Sequence, residues 1–151
     1  MLSVNTVTLA EETILGFDFG EKRIGVAVGN TVTSHAEALT TLHVESNAAR
    51  LHAVEKLVAA WQPASFVVGR PEHADGRPHD IAHLAKKFGQ RLAEKFRLPV
   101  AYVNETLSSH EAGTMLAARG IKGRAQKADI DAVAAQVILQ SYLDERNRHA
   151  A

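Results

Sequence analysis

At 151 residues, with 46% apolar residues and seventeen basic side chains balancing seventeen acidic ones, the chain is the size of one ordinary domain with a sizeable core. The absence of cysteine excludes disulfides and thiolate metal sites, so a metal would be held by carboxylates or imidazoles, and a hard cation bound through oxygen is a more natural guest than zinc. Zero net charge argues against a protein coated in nucleic acid but leaves room for a local basic patch; no apolar run approaches the roughly 20 residues that span a bilayer, and the N-terminus lacks the order of a secretory signal, which predicts a cytoplasmic protein with no membrane partner.

Residues 1–12 show no clear period and read as a flexible lead to a single domain over 13–151. Two β-like runs, 14–19 and 24–29, flank the short polar connection GEKR and predict an antiparallel hairpin. The mixed pattern of HAEALTTLH (35–43) suits an edge strand. From Ser46 the period becomes helical, with Leu51, Val54, Leu57, Val58 and Trp61 on one stripe, Ser46 or Asn47 as cap and Pro63 as stop. SFVVG (65–69) reads as a central parallel strand and RPEHADGRPHD as a polar functional loop. A second amphipathic helix is predicted over 79–96, a strand over PVAYVN (99–104), a short helix over 107–118 and a buried helix over 130–144. An antiparallel meander followed by βα units implies an α/β fold: a mixed five-stranded sheet, three strands antiparallel and two parallel, covered by helices on both faces.

Within ILGFDFGEKRIGVAVGN, Asp18 interrupts an apolar strand, which a chain tolerates only if a metal, a basic side chain or a helix terminus offsets the charge. Alternation points Gly16, Asp18 and Gly20 the same way, leaving bare backbone around the carboxylate. Glu105 directly follows the 99–104 strand, at the end where open α/β sheets bind ligands, although a Glu at the start of a helix is also favoured by the helix dipole. Asp131 is placed in the first turn of the last helix with Asp129 as its N-cap, and Ala134 and Ala135, on Asp131's face, would let that helix press onto the sheet. Three converging carboxylates require a cation. Two divalent ions about 3.5–4 Å apart would answer that need and suit phosphodiester hydrolysis.

The sequence at this point resembles the YqgF, or RuvX, family of the RNase H-like nuclease superfamily. FDFGEKRIGVAVG is similar to that family's D-F-G-x-x-R-I-G-V-A-V-G hairpin, VVGRPEHADG to its V-V-G-L-P-x-x-x-D-G segment, NETLSSHEA to its D-E-R-L-T segment and KADIDAVAAQVILQSYL to its terminal helix, so the resemblance spans about residues 14–144. It implies an RNase H-like fold, a Mg²⁺- or Mn²⁺-dependent nuclease site, and Asp18, Glu105 and Asp131 as catalytic metal ligands. It further implies processing of the 5′ end of pre-16S ribosomal RNA, with Holliday junction resolution by a dimer as the alternative. Asn104 and Thr106 stand where the family's triplet has Asp and Arg, which removes one carboxylate and one cation beside Glu105; Arg70 replaces the usual Leu before Pro71 and returns a positive charge to that rim.

ARGIKGRAQKA holds Arg119, Lys122, Arg124 and Lys127 with no acidic residue between Glu111 and Asp129, and reads as a mobile basic loop next to Asp131. With Lys22, Arg23 and Arg70 these side chains are candidate contacts to a nucleic-acid backbone, either structured or precursor RNA or branched DNA. No aromatic stacking platform accompanies them, Tyr102 and Tyr142 being isolated. The eight histidines form no H-E-x-x-H motif, and His79 and His83, four apart, lack a third ligand. The protein is expected to be a monomer or weak homodimer. Two readings from other classes stay open: a phosphate-binding hairpin like that of the actin and sugar-kinase superfamily, for which 151 residues supply only one lobe, and a catalytically silent nucleic-acid module.

Overall fold

Alternation of large and absent side chains in L-G-F-D-F organises the fold, because it gives the first strand one bulky face and one nearly bare face. A computed structural model describes residues 11–70, 81–104 and 123–150, with side chains for all of these except 123–129 and 148–150. In chain order the elements are β1 (Thr13–Phe19), β2 (Arg23–Asn30), β3 (His35–His43), α1 (Asn47–Trp61), β4 (Ser65–Arg70), α2 (Ile81–Phe96), β5 (Val100–Asn104) and α3 (Gly123–Ala150). The five strands form one sheet in the order β3-β2-β1-β4-β5. β1 and β2 pair antiparallel from Thr13↔Asn30 to Phe19↔Ile24, β3 adds antiparallel at the edge, and β4 and β5 join in parallel. This is the mixed sheet that the sequence pattern predicts, with 35–43 at the edge as expected.

The bulky face carries Leu15, Phe17, Phe19, Ile24, Val26, Phe66 and Val68, which pack with Val54 of α1 and Ala85, Phe88 and Leu92 of α2. Phe17 is fully buried, with its ring centroid 5.5 Å from that of Phe88 in an edge-on arrangement and 5.9 Å from that of Phe66. Such aromatic pairs add to the stabilisation from area burial alone.

On the other face, Gly16, Gly25, Ala27, Gly29 and Ala36 leave a shallow surface, and α3 lies in it. A Cβ added at Gly16 would stand 2.9 Å from Leu139 Cβ, one at Gly29 2.9 Å from Leu139 Cδ2, and one at Gly25 would overlap the main-chain carbonyl of Asp131. The helix therefore follows β2, with Asp131 over Gly25 and Leu139 and Leu143 over Gly29. Eight to twelve helical residues rise about 12–18 Å, and four strand residues span about 14 Å, so the two elements keep pace. Ile14, Val67, Ala135, Ile138, Leu139 and Leu143 close this second core.

Element ends follow local chemistry. Ser46 caps α1 by accepting from the Ala49 amide at 3.1 Å, and the helix ends on Gln62 in the left-handed region (φ 49°) just before Pro63. The last helix departs from expectation. It begins at Gly123 rather than 130, so Arg124, Lys127 and Asp129 are helical, Asp129 is not its N-cap, and Asp131 lies in the third turn. Arg, Ala, Gln and Lys are good helix formers, and nothing between Gly123 and Asp131 breaks the run. The outer strand is covered from this helix: Gln140 Oε1 accepts from the Ala36 amide at 2.9 Å, Gln136 Nε2 donates to the Ala36 carbonyl at 2.9 Å, and Gln140 Nε2 donates to the Ser34 carbonyl at 2.8 Å. Two glutamines one turn apart thus satisfy main-chain groups that an edge strand otherwise offers to another chain. Glu12, which the sequence reading leaves in the flexible lead, is joined to the hairpin through Thr31, whose amide donates to the Glu12 carbonyl at 3.0 Å. No helix among the described residues is long and apolar enough to cross a membrane.

Candidate nuclease site

Asp18 lies between two residues that have no side chain, Gly25 across the antiparallel ladder and Gly69 across the parallel one. Neither ladder partner therefore places a side chain beside the partly buried Asp18. The contact between Gly25 and the Asp131 carbonyl then brings α3 down at that point, so Asp131 shares Asp18's face and its end of the sheet. The sequence places these two carboxylates 113 residues apart; a bare β2 position joins them.

Arg23 enters the same region two residues before Gly25 and on the same face. Its Nε stands 3.1 Å from Asp131 Oδ2, with the Asp131 side chain 19% exposed and that of Arg23 38% exposed. Because Asp131 sits in the third turn of α3, the partial positive charge of a helix N-terminus, confined to the first turn, is not available to it. The Arg23 guanidinium supplies a counter-charge from β2. The hairpin that carries Arg23 is itself held in place: Arg50 Nη2 donates to the Glu21 carbonyl, Nη1 donates to Asn47 Oδ1 at 3.0 Å, and the guanidinium lies 5.1 Å from the centre of the Phe19 ring. The Val44 amide donates to the Lys22 carbonyl at 3.1 Å, and the Lys22 side chain is exposed at the tip.

The rim continues at the carboxyl ends of β4 and β5, where Arg70 pairs with Asn104. Alternation puts Arg70 on the α1/α2 face, opposite to Asp18, and exposed. It shares that face with Tyr102, whose hydroxyl donates to the Lys86 carbonyl at 3.1 Å over Gly89, where a Cβ would strike the ring. Burial pushes the Tyr102 phenol above its ordinary range, and the positive charge of Arg70 opposes the shift. Glu105, Arg119 and Lys122, together with the 71–80 loop and the 107–118 helix, lie outside the described residues. Arg124 and Lys127 are carried on α3, not on a loop. Among the described residues no group of three acidic or histidine side chains could hold a metal, and His35, His43, His52 and His83 are all exposed. A cavity of about 230 Å³, lined by Ile14, Ser65, Pro99, Tyr142 and the Glu12–Arg146 pair, opens at the opposite ends of β4 and β5.

Reading along the chain misses Gly25 and Gly69 as the neighbours of Asp18, Arg50 as the clamp on the hairpin, and the Arg23–Asp131 pair. Gly25, Ala27 and Gly29, small at every second position, carry a legible sign of a helix lying close on that face. The ion pair has no local sign, since its members are distant in sequence.

A family model described as "RuvX: Holliday junction resolvase" matches residues 12–145. A protein of Dechloromonas aromatica named "Putative pre-16S rRNA nuclease" is 53% identical over 132 residues, covering 87% of this chain and 90% of that one. One of the same name from Burkholderia lata is 49% identical over 139 residues, covering 92% and 93%. Among solved structures, RuvC of T. thermophilus in complex with a Holliday junction substrate superposes with a TM-score of 0.57 at 17% identity, covering 91% of this chain and 96% of that one. Fowlpox virus resolvase in complex with Holliday junction DNA gives 0.56 at 11% identity, covering 89% and 98%. These likenesses establish a shared fold.

Proposed function

Since this chain belongs to the RuvX family, we propose that it is a nuclease in which Asp18 and Asp131, joined by Glu105, hold divalent cations and hydrolyse phosphodiester bonds of precursor ribosomal RNA. The observation that supports this reading is that Asp18 pairs with Gly25, the side-chain-free position against which the main chain of Asp131 packs. An all-oxygen donor set in a space bounded by glycine fits Mg²⁺ or Mn²⁺ better than a softer ion. When bound, such ions would activate water for attack and stabilise the leaving oxygen.

The chain's own residues would do the rest. Asp18, fixed on a central strand, holds its carboxylate with the precision of the sheet, and Asp131 is set by the contact of α3 with Gly25. Lys22, exposed at the hairpin tip, is assigned to contact a phosphate backbone together with the sequence candidates Arg119, Lys122, Arg124 and Lys127, whereas Arg70 lies on the opposite face; contacts of this kind position a substrate without reading its bases. Binding should therefore weaken with salt, at a log–log slope of up to about −0.7 per phosphate contact on single strands. The names borne by the two bacterial relatives favour ribosomal precursor RNA as substrate. The family description favours a second reading, resolution of four-way junctions, which needs two such sites related by a dimer axis.

Cleavage titrated with Mg²⁺ and Mn²⁺, on pre-16S RNA and a four-way junction side by side, separates these readings. The expected result is metal-dependent cleavage of the RNA by the parent and none by Asp18→Asn. Equal cleavage by that variant would refute the site, and preferential cutting of the junction by a dimer would favour resolution.

A further inference from the structure

Arg23 is an unexpected neighbour for a metal-binding carboxylate. Its Nε is 3.1 Å from Asp131 Oδ2, an oxygen without solvent exposure. The contact is built into the fold, since Gly25, two residues along the same strand, presses on the main chain of Asp131 itself. Arg50 secures the turn before Arg23 through the Glu21 carbonyl, and Arg23 is paired in register with His43 of β3. Strand, turn and helix thus fix both partners, and neither side chain reaches for the other across a mobile gap.

We propose that Arg23 is a positioning residue that tunes divalent-cation affinity by competing for Asp131. This rests on the reading of Asp131 as a metal ligand and deepens it. Gathering carboxylates at one end of a sheet costs folding energy through mutual repulsion, and a guanidinium beside Asp131 offsets it whether or not a cation is bound. The same positive charge opposes a divalent ion arriving at the same carboxylate, with attraction and repulsion both scaling as charge over distance. Arg23 therefore stabilises the fold without metal and weakens the binding of metal, which keeps the site exchangeable.

The test measures metal binding on the full-length chain, with no substrate. Mn²⁺ affinity, read from the electron paramagnetic resonance of free Mn²⁺, is compared for the parent, Arg23→Gln, Arg23→Lys and Asp131→Asn. The expected result is binding about three- to tenfold tighter for Arg23→Gln, an affinity close to that of the parent for Arg23→Lys, and loss of tight binding for Asp131→Asn. Without metal, Arg23→Gln should melt at a lower temperature than the parent and recover more on adding Mn²⁺. Unchanged or weaker Mn²⁺ binding by Arg23→Gln, with Asp131→Asn impaired, would overturn the role of Arg23 and leave the metal site standing. Unchanged binding by Asp131→Asn would overturn both. Should Arg23→Gln fail to fold, the parent answers alone: the Arg23 Nε–H resonance should shift as Mg²⁺ is added, in step with metal occupancy, and a resonance indifferent to Mg²⁺ would refute the competition.

Discussion

The two faces of the sheet are built from the same strands yet do opposite work. Phe17 and Phe19 of β1 fill one side with aromatic volume beneath α1 and α2, while Gly16 and Asp18, their immediate neighbours, leave the other side thin enough for α3 to touch main chain. The first face is stabilised by buried area and tolerates an imprecise fit. The second relies on close approach, and its reward is placement: an acid from a helix is brought to the same end as an acid from a strand. If Asp18 and Asp131 hold the metal as proposed, a single-residue alternation separates stability from chemistry, and mutations on the two faces should differ in kind.

The largest expected effect is on cleavage. Asp18→Asn should lower the rate by more than the roughly 10–100-fold typical of losing a group that merely supports a metal ligand, while leaving the urea midpoint close to that of the parent. A rate within tenfold of the parent would place the chemistry elsewhere. Phe17→Ala should do the reverse, costing about 3–5 kcal/mol in urea unfolding with little change in Mn²⁺ affinity while the protein remains folded. Gly25→Ala joins the two faces' logic, because its methyl must displace α3: a loss of about 1–3 kcal/mol should come with weakened Mn²⁺ binding. Stability lost without any effect on metal would separate helix packing from the site.

Smaller effects sharpen the picture at the margins. Gln140→Ala removes two hydrogen bonds to the outer strand and should cost about 1–3 kcal/mol, read by denaturant and by faster amide exchange at Ala36. Tyr102→Phe should cost about 1 kcal/mol through the lost bond to Lys86. Because burial raises the Tyr102 phenol in the folded chain, the neutral form is the one that folding favours. Its contribution is therefore present below the unfolded value of 10.0 and is lost as pH rises through the higher folded value, so the variant should lose less stability on going alkaline than the parent.

Much of this architecture is legible in the residues. The hairpin, the edge strand, the Ser46 cap and the order of parallel units follow from period, turn chemistry and strand composition. Asp18 stands out because an apolar strand has no local use for a carboxylate. Asp131 stands out because Ala134 and Ala135, both fully buried, let its helix press onto the sheet; the alternative, a first-turn Asp favoured by the dipole, loses its force because α3 begins eight residues earlier. An Asp-rich start after a basic, glycine-containing stretch looks like a boundary, yet the helix runs through it from Gly123. Arg23 marks the limit of linear reading. Alone it is one cation among several suited to phosphate; in the fold it belongs to Asp131.

In crystals soaked in Mn²⁺, anomalous scattering locates the ion without regard to substrate. A peak at about 2.0–2.3 Å from carboxylate oxygens of both Asp18 and Asp131 is the result this arrangement predicts. Mn²⁺ bound by neither, or by one acid with the other turned away, would contradict it.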